Sequence, residues 1–230
     1  KIAIFSMHPI PYQVPFFDEI SKINYNTKVY YLDSLGSKNY YNPYFKKKIE
    51  VDNSFLNKHN YFYLKNLSRK NITGFFSRIN FGIFKIFFTK NIDFVVVNGY
   101  QTLSSWFLFL LSFVFYKKTF IFKGETTRLS RSFLKHFIIN LFLSRFNYYI
   151  YSCHGNYLFF NSLGISKKSM IYVPCTVNYD FFNKYYIDNI NNIDKFKKKY
   201  EITSNQKTIV FVSKLIKRKN PLELLKAVNT

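Results

Sequence analysis

Five short stretches gather the side chains able to bind or react, and each directly follows a compact apolar run. Ser6-Met7-His8-Pro9-Ile10-Pro11-Tyr12-Gln13 carries an imidazole and a phenol on a loop stiffened by two prolines. His8 suits general acid–base work, although a lone histidine is as readily an ordinary surface residue. Asn98-Gly99-Tyr100-Gln101-Thr102 sets Gly99 where backbone can approach a ligand and the next helix can offer free N–H groups; a plain tight turn is the alternative. Lys123-Gly124-Glu125-Thr126-Thr127-Arg128 is dense in function for a mere connection. There Glu125 is a candidate to orient a substrate hydroxyl or act electrostatically, and Arg128 a candidate to hold phosphate, unless the two form a surface pair of little weight. Ser152-Cys153-His154-Gly155-Asn156 adds a second imidazole at a helix start. The last stretch, Ser213 through Pro221, puts Lys214 and Lys219 near a helix N-terminus, where anions are already favoured. A diphosphate suits it, and a solvated basic loop is the bland reading.

The elements that must position these groups follow from hydrophobic patterning. Strand-like runs are read at Lys1–Ser6, Lys28–Leu32, Tyr61–Leu64, Asp93–Val97, Thr119–Lys123, Tyr148–Ser152 and Met170–Val173. Helical spacing separates them at Val14–Ile23, Phe75–Phe88, Leu103–Phe115, Phe133–Leu143 and Tyr157–Leu163. Continuous apolar strands between helices predict a doubly wound parallel sheet of the α/β class. In such a sheet ligands bind beyond the carboxyl ends of the strands, where the first four stretches fall. Residues 1–182 therefore read as one Rossmann-like domain. Residues 183–206, rich in Asn, Asp, Lys and Tyr, read as a connector with a short helical patch near Asp194–Tyr200. Thr208–Ser213 as a buried strand and Pro221–Val228 as a helix then open a second Rossmann-like domain over 207–230, of which the chain holds only the start.

With 34 Lys and Arg against 12 Asp and Glu, the net charge of +22 raises a nucleic-acid or membrane reading. The basic residues are scattered, however, apart from Lys46–Lys48, Lys197–Lys199 and Lys217–Lys219, and no RNA-binding aromatic signature, zinc-finger spacing or basic zipper accompanies them. Alanine occurs only at positions 3 and 227, while Lys, Asn, Ile, Phe and Tyr abound, which points to biased codon composition as a source of the charge. Two cysteines, Cys153 and Cys175, make neither a disulfide framework nor a zinc site and fit a reducing cytoplasm. The most apolar run, Leu103–Tyr116, falls short of the about 20 residues that span a bilayer. The basic, aromatic stretch Lys70–Lys90 offers peripheral contact with anionic lipid, against the simpler expectation that Phe75, Ile79, Ile83 and Phe87 pack on the sheet. No His and carboxylate cluster suggests a metal.

The order of these motifs resembles the retaining glycosyltransferase family four, or group 1, of GT-B architecture. His8-Pro9-Ile10-Pro11-Tyr12-Gln13-Val14-Pro15-Phe16-Phe17 is similar to an opening in one branch, and Val97–Tyr100 and Lys123–Glu125 to its middle loops. Pro174-Cys175-Thr176-Val177-Asn178-Tyr179-Asp180-Phe181-Phe182 resembles the segment Pro-Asn-Gly-Val-Asp-x-x-x-Phe that leads between the domains, and Val212–Lys219 the Gly-Arg-Leu…Lys-Gly donor loop. The resemblance implies transfer of a sugar from a nucleotide-diphosphate donor to an acceptor hydroxyl, without a tightly bound cofactor or metal. It implies that Lys214 and Lys219 bind the donor diphosphate, Lys214 keeping the charge of arginine without its planar fork. Asn220 stands for a glycine and tolerates a left-handed backbone. Where the family commonly has a histidine, this chain has Lys123-Gly124-Glu125, so Glu125, with His8, is a catalytic candidate by position alone. Tyr12, Gly99, Tyr100, Arg128 and His154 are the residues expected on the acceptor side of the cleft, with Asp33–Leu56 as the variable region that reads the acceptor. The expected partners are a nucleotide sugar and a glycan or lipid-linked acceptor, with nucleic acid disfavoured. The family's paired glutamates, which contact the donor sugar, would fall beyond Thr230, so the chain is expected to be inactive alone. A basic non-catalytic α/β module binding polyanions is the alternative.

Overall fold

A computed structural model describes residues 1–228, except 36, 38, 43–46, 50–55, 57, 70–73, 128, 130, 131, 204 and 214. It divides into two compact units, 1–178 and 179–230.

The first unit is built on seven parallel strands: β1 (Ile2–Ser6), β2 (Thr27–Tyr31), β5 (Tyr61–Tyr63), β6 (Phe94–Asn98), β7 (Thr119–Lys123), β8 (Tyr148–Tyr151) and β9 (Met170–Tyr172). Their order across the sheet is β5-β2-β1-β6-β7-β8-β9. A separate antiparallel pair, β3 (Tyr40–Asn42) with β4 (Lys47–Ile49), lies within the region expected to read the acceptor. Alternate residues of each central strand face opposite ways. Ala3, Phe5, Tyr30, Leu32, Val95 and Val97 join one buried cluster, while Ile4, Val29, Tyr31 and Val96 join another. Both faces are thus covered, as uninterrupted apolar strands require. Helix α1 (Val14–Ile23) seals the second face through Val14 and Phe17. The first is sealed by α2 (Gly82–Thr89), α3 (Leu103–Val114), α4 (Phe133–Leu143) and α5 (His154–Ser162), through residues such as Phe87, Leu108, Phe142 and Phe160. This is the doubly wound, Rossmann-like α/β sheet.

Three expectations change. The apolar spacing of Phe75–Phe88 does not make one helix: a 3-10 turn at Phe75–Ser77 is followed by a break before α2. The break is enforced by Asn80, whose buried Nδ2 donates to Leu32 O at 2.9 Å and Lys65 O at 3.0 Å while its Oδ1 accepts from Ser104 Oγ at 2.8 Å. Those bonds clamp the ends of β2 and β5 to the start of α3, and they outweigh one more turn of helix. Ile83 and Phe87 pack on the sheet as the simpler reading expected, but Phe75, Phe76, Phe81 and Phe88 remain exposed. Helix α5 begins at His154 rather than Tyr157.

In the second unit, α6 (Tyr179–Asn189) and α7 (Ile193–Lys199) fill most of the expected connector, and α8 (Pro221–Val228) is the expected helix. Residues 208–213 form no strand and are exposed. A strand exists only as part of a ladder, and the described residues of this unit provide no partner for it. Asn220 adopts the left-handed conformation, at φ 51°.

Candidate active site

The crevice of a doubly wound sheet opens where neighbouring strands send their connections to opposite faces. Here that point lies between β1, followed by α1 on one face, and β6, followed by α3 on the other. Ser6, Asn98 and Lys123 end β1, β6 and β7 at this edge. Asn98 Nδ2 donates to Gln13 Oε1 at 2.7 Å and to Ser6 Oγ at 3.3 Å. Gln13 Nε2 in turn donates to Glu125 Oε1 at 3.2 Å. The Tyr12 hydroxyl donates to Glu125 Oε2 at 3.3 Å, and Lys123 Nζ lies 3.6 Å from Oε1. One carboxylate therefore faces an amide, a phenol and an ammonium, which fix its orientation. Gln13 is buried and its amide is polarised from both ends; turned over, it would set oxygen against oxygen at Glu125 and N–H against N–H at Asn98. The Glu125 side chain stays 37% exposed while Lys123 is nearly sealed. Burial, followed by the adjacent Glu125 charge, pushes the Tyr12 hydroxyl up to about 12, so it remains a donor across the neutral range.

A second layer holds the Glu125 loop. The Tyr100 hydroxyl meets Thr126 Oγ1 at 3.3 Å, and the fully buried Asn156 donates from Nδ2 to Thr126 O at 3.0 Å while its Oδ1 accepts from Ser152 N at 3.2 Å. Gly99, at φ 87°, donates its N–H to Lys123 O at 2.9 Å, a backbone conformation that side chains rarely adopt. At Gly124 a Cβ would stand 2.6 Å from the buried Phe122 ring, so only glycine leaves that ring in place. Thr176, in the segment after β9, donates from Oγ1 to Tyr12 O at 2.8 Å. Pro174, Cys175 and Thr176 with Tyr12 and Glu125 border a crevice of about 10 Å³, room for about one water.

His8 sits in a different group. The charged groups acting on it are Arg78 and Asp33, and its Nδ1 is buried without a hydrogen-bond partner among the described residues. Burial foremost, then the Arg78 guanidinium, holds its pKa below the ordinary value, partly opposed by Asp33. Arg78 is itself buried, with Nε 3.1 Å from Asp33 Oδ2 and Nη1 donating to Ser77 O at 2.8 Å.

Of the residues singled out from sequence, Tyr12, Gly99, Tyr100 and Glu125 thus come together around one edge of the sheet. His8 joins Arg78 and Asp33 at the β1–β2 side. His154 is exposed on the first turn of α5, its ring 6.0 Å from that of Tyr157. Lys219 is exposed in the second unit, in the 3-10 turn Lys217–Lys219 before α8. Arg128 and Lys214 lie outside the described residues. Sequence reasoning placed Gln13, Asn98, Lys123 and Asn156 in its candidate stretches but gave none of them a role, since their one available signal was that they lie in or beside the loops that follow strands. Among the described residues no three His, Cys, Asp or Glu side chains are placed to hold a metal, and no helix is long and apolar enough to cross a membrane.

No known family profile matches the chain, and no curated protein does. Its fold is similar to that of Anabaena Alr3699/HepE. Against the crystal structure of that protein with UDP-glucose the TM-score is 0.53 at 10% identity, over 89% of this chain and 50% of the other. Against its complex with UDP and glucose the TM-score is 0.49 at 11% identity, over 76% and 44%. The chain therefore spans about half the length of the structures it matches, and what it shares with them is the Rossmann-like α/β fold.

Proposed function

We propose that this chain is the acceptor-side part of a glycosyltransferase of GT-B type that uses a nucleotide-diphosphate sugar. The observation that carries the reading is Glu125, fixed by Tyr12, Gln13 and Lys123 at the crevice of the sheet yet open on one side. A carboxylate so held can accept a hydrogen bond from an acceptor hydroxyl and set its angle of attack, which is worth rate because reacting groups arrive already oriented. Neutral His8 and the tyrosines Tyr12 and Tyr100 offer further polar contacts to a sugar. Residues 1–182 form the acceptor-side domain, 183–206 the connector and 207–230 the opening of the donor-binding domain. In that last part Lys214 and Lys219 neutralise the departing diphosphate, and Arg128 adds phosphate contact from the Glu125 loop. The reading includes transfer of a hexose with retention, in the assembly of a cell-surface glycan at the cytoplasmic face of a membrane. The fold shared with a protein whose crystal structure holds UDP-glucose supports it.

The test is thermal. With the protein expressed from its complete reading frame, a panel of nucleotide sugars is screened for stabilisation, since a ligand that binds only the folded state raises the unfolding temperature. One donor is expected to shift the midpoint by several degrees, and Lys219→Ala to remove that shift. Absence of any shift, together with steeply salt-dependent binding of nucleic acid, would replace this reading with that of a polyanion-binding module.

A further inference from the structure

Arg145 and Lys118 line one pocket of about 150 Å³. It lies at the amino ends of β7 and β8, the opposite edge of the sheet from Lys123 and Glu125. Ser112 from the last turn of α3, Ser144 at the end of α4, Asn147 before β8 and Tyr116 also line it. Unpaired cations are common in a chain with 34 Lys and Arg against 12 Asp and Glu. These two differ in being half-buried within one concavity. Phe113 covers one face of the Arg145 guanidinium at 4.3 Å, and Arg145 Nε is buried with no hydrogen-bond partner among the described residues. No carboxylate among the described residues forms an ion pair with either cation, and Asp93 acts on Lys118 only from beyond that range. Service to backbone carbonyls accounts for one bond of each: Arg145 Nη2 donates to Ser112 O at 3.4 Å, and Lys118 Nζ to Ile92 O. That leaves most donors of the guanidinium and the ammonium unassigned among the described residues. Asn147 Oδ1 accepts from Phe120 N at 2.8 Å, which fixes the side chain and leaves its amide nitrogen as a further donor. A half-buried charge without a counter-charge is costly, and an unsatisfied buried nitrogen in a native protein calls for a bound ion or water.

We propose that this pocket binds a phosphoryl group, either free phosphate or the terminal phosphate of a small phosphorylated molecule. Size and chemistry select it. The volume is below the about 300 Å³ at which sites for drug-sized ligands begin, so the pocket takes one group rather than a whole nucleotide. The planar fork of Arg145 matches phosphate oxygens, and Lys118 adds a point charge from a second element. The Asn147 amide and the Tyr116 hydroxyl supply neutral donors. A tetrahedral group accepts from several sides at once, whereas a carboxylate offers two oxygens in one plane. The site stands apart from the glycosyltransferase reading, because none of its residues belongs to the Glu125 network.

The test follows the unfolding temperature of the protein expressed from its complete reading frame, at constant ionic strength, as phosphate replaces chloride. A saturable rise is expected with inorganic phosphate and none with acetate. Glycerol 3-phosphate, titrated beside it, identifies the source: tighter binding assigns the pocket to a phosphorylated molecule, weaker binding to the free ion. Arg145→Met should weaken phosphate binding about tenfold or more, the scale of hydrogen bonds to a charged group. Lys118→Met should weaken it about threefold. Asn147→Asp keeps an acceptor for Phe120 N and puts a carboxylate into the same lining as both cations. It should raise the midpoint of the ligand-free protein and abolish the response to phosphate. Lys167→Ala, at an exposed cation elsewhere in the first unit, and Lys219→Ala should leave the titration unchanged. A rise that does not saturate, or one that Arg145→Met and Lys167→Ala share equally with the parent, would mean general screening of positive charge and overturn the proposal. So would an Asn147→Asp variant that lowers the ligand-free midpoint or keeps the phosphate response, and this variant carries the test alone should Arg145→Met fail to fold.

Discussion

Two carboxylates in the first unit are each gripped by neighbours, and they differ in what remains open. Asp18 Oδ1 lies 2.7 Å from His59 Nδ1, and His59 Nε2 lies 3.0 Å from the Tyr31 hydroxyl. The Asp18 side chain is 10% exposed, the His59 side chain is fully buried, and burial lifts the Tyr31 hydroxyl well above the usual phenol range. The three side chains of that triad bond one another in the interior, from α1 to β2. Glu125 also has three partners, yet it keeps 37% of its side chain exposed at the crevice. A sealed network of this kind holds structure together; an open one is pre-aimed at a ligand.

Removing His59 is the strongest way to break the comparison. His59→Ala leaves Asp18 and Tyr31 buried without the partner they share among the described residues and is expected to cost about 3 kcal/mol or more in urea unfolding, the scale of a broken buried pair. Tyr31→Phe removes a single hydroxyl and leaves one ring nitrogen unmatched, for an expected loss of about 1.5 kcal/mol in the same experiment. A loss under about 0.5 kcal/mol for either variant would mean that the triad is not structural.

The smallest effect concerns pH. The folded-state pKa of His8 is lowered from 6.5, so the unfolded chain takes up its proton first as pH falls. The stability contributed by neutral His8 is complete above pH 6.5 and declines below it, down to the lowered folded value. His8→Gln should therefore flatten the slope of unfolding free energy between pH 6.5 and 5 relative to the parent chain. An unchanged slope would mean that burial does not hold His8 neutral.

What the sequence made legible was whatever hydrophobic burial decides locally. Helix α1 runs over Val14–Ile23 as read, because Pro15 fits a helix start and Val14 and Phe17 share one face. The strands were legible because both their faces are buried. The break at Arg78–Phe81 was not, since the apolar spacing continues across it and the decisive bonds of Asn80 reach residues 15 to 48 positions away. The same distance in sequence hid Gln13 and Asn98: an uncharged amide gains meaning only when Glu125, 112 residues on, completes its network. Residues 208–213 show the converse, an apolar run that reads as a strand and is not one without a partner.

The most direct test of Glu125 as an open, substrate-facing carboxylate is to measure sugar transfer and unfolding free energy together for Glu125→Gln, in the protein expressed from its complete reading frame. The account predicts that stability stays within about 0.5 kcal/mol of the parent while transfer falls about 100-fold, the lower range for loss of a group that positions or accepts a proton. Unchanged transfer, or a loss of stability approaching that of His59→Ala, would contradict it and make Glu125 one more structural partner of Lys123.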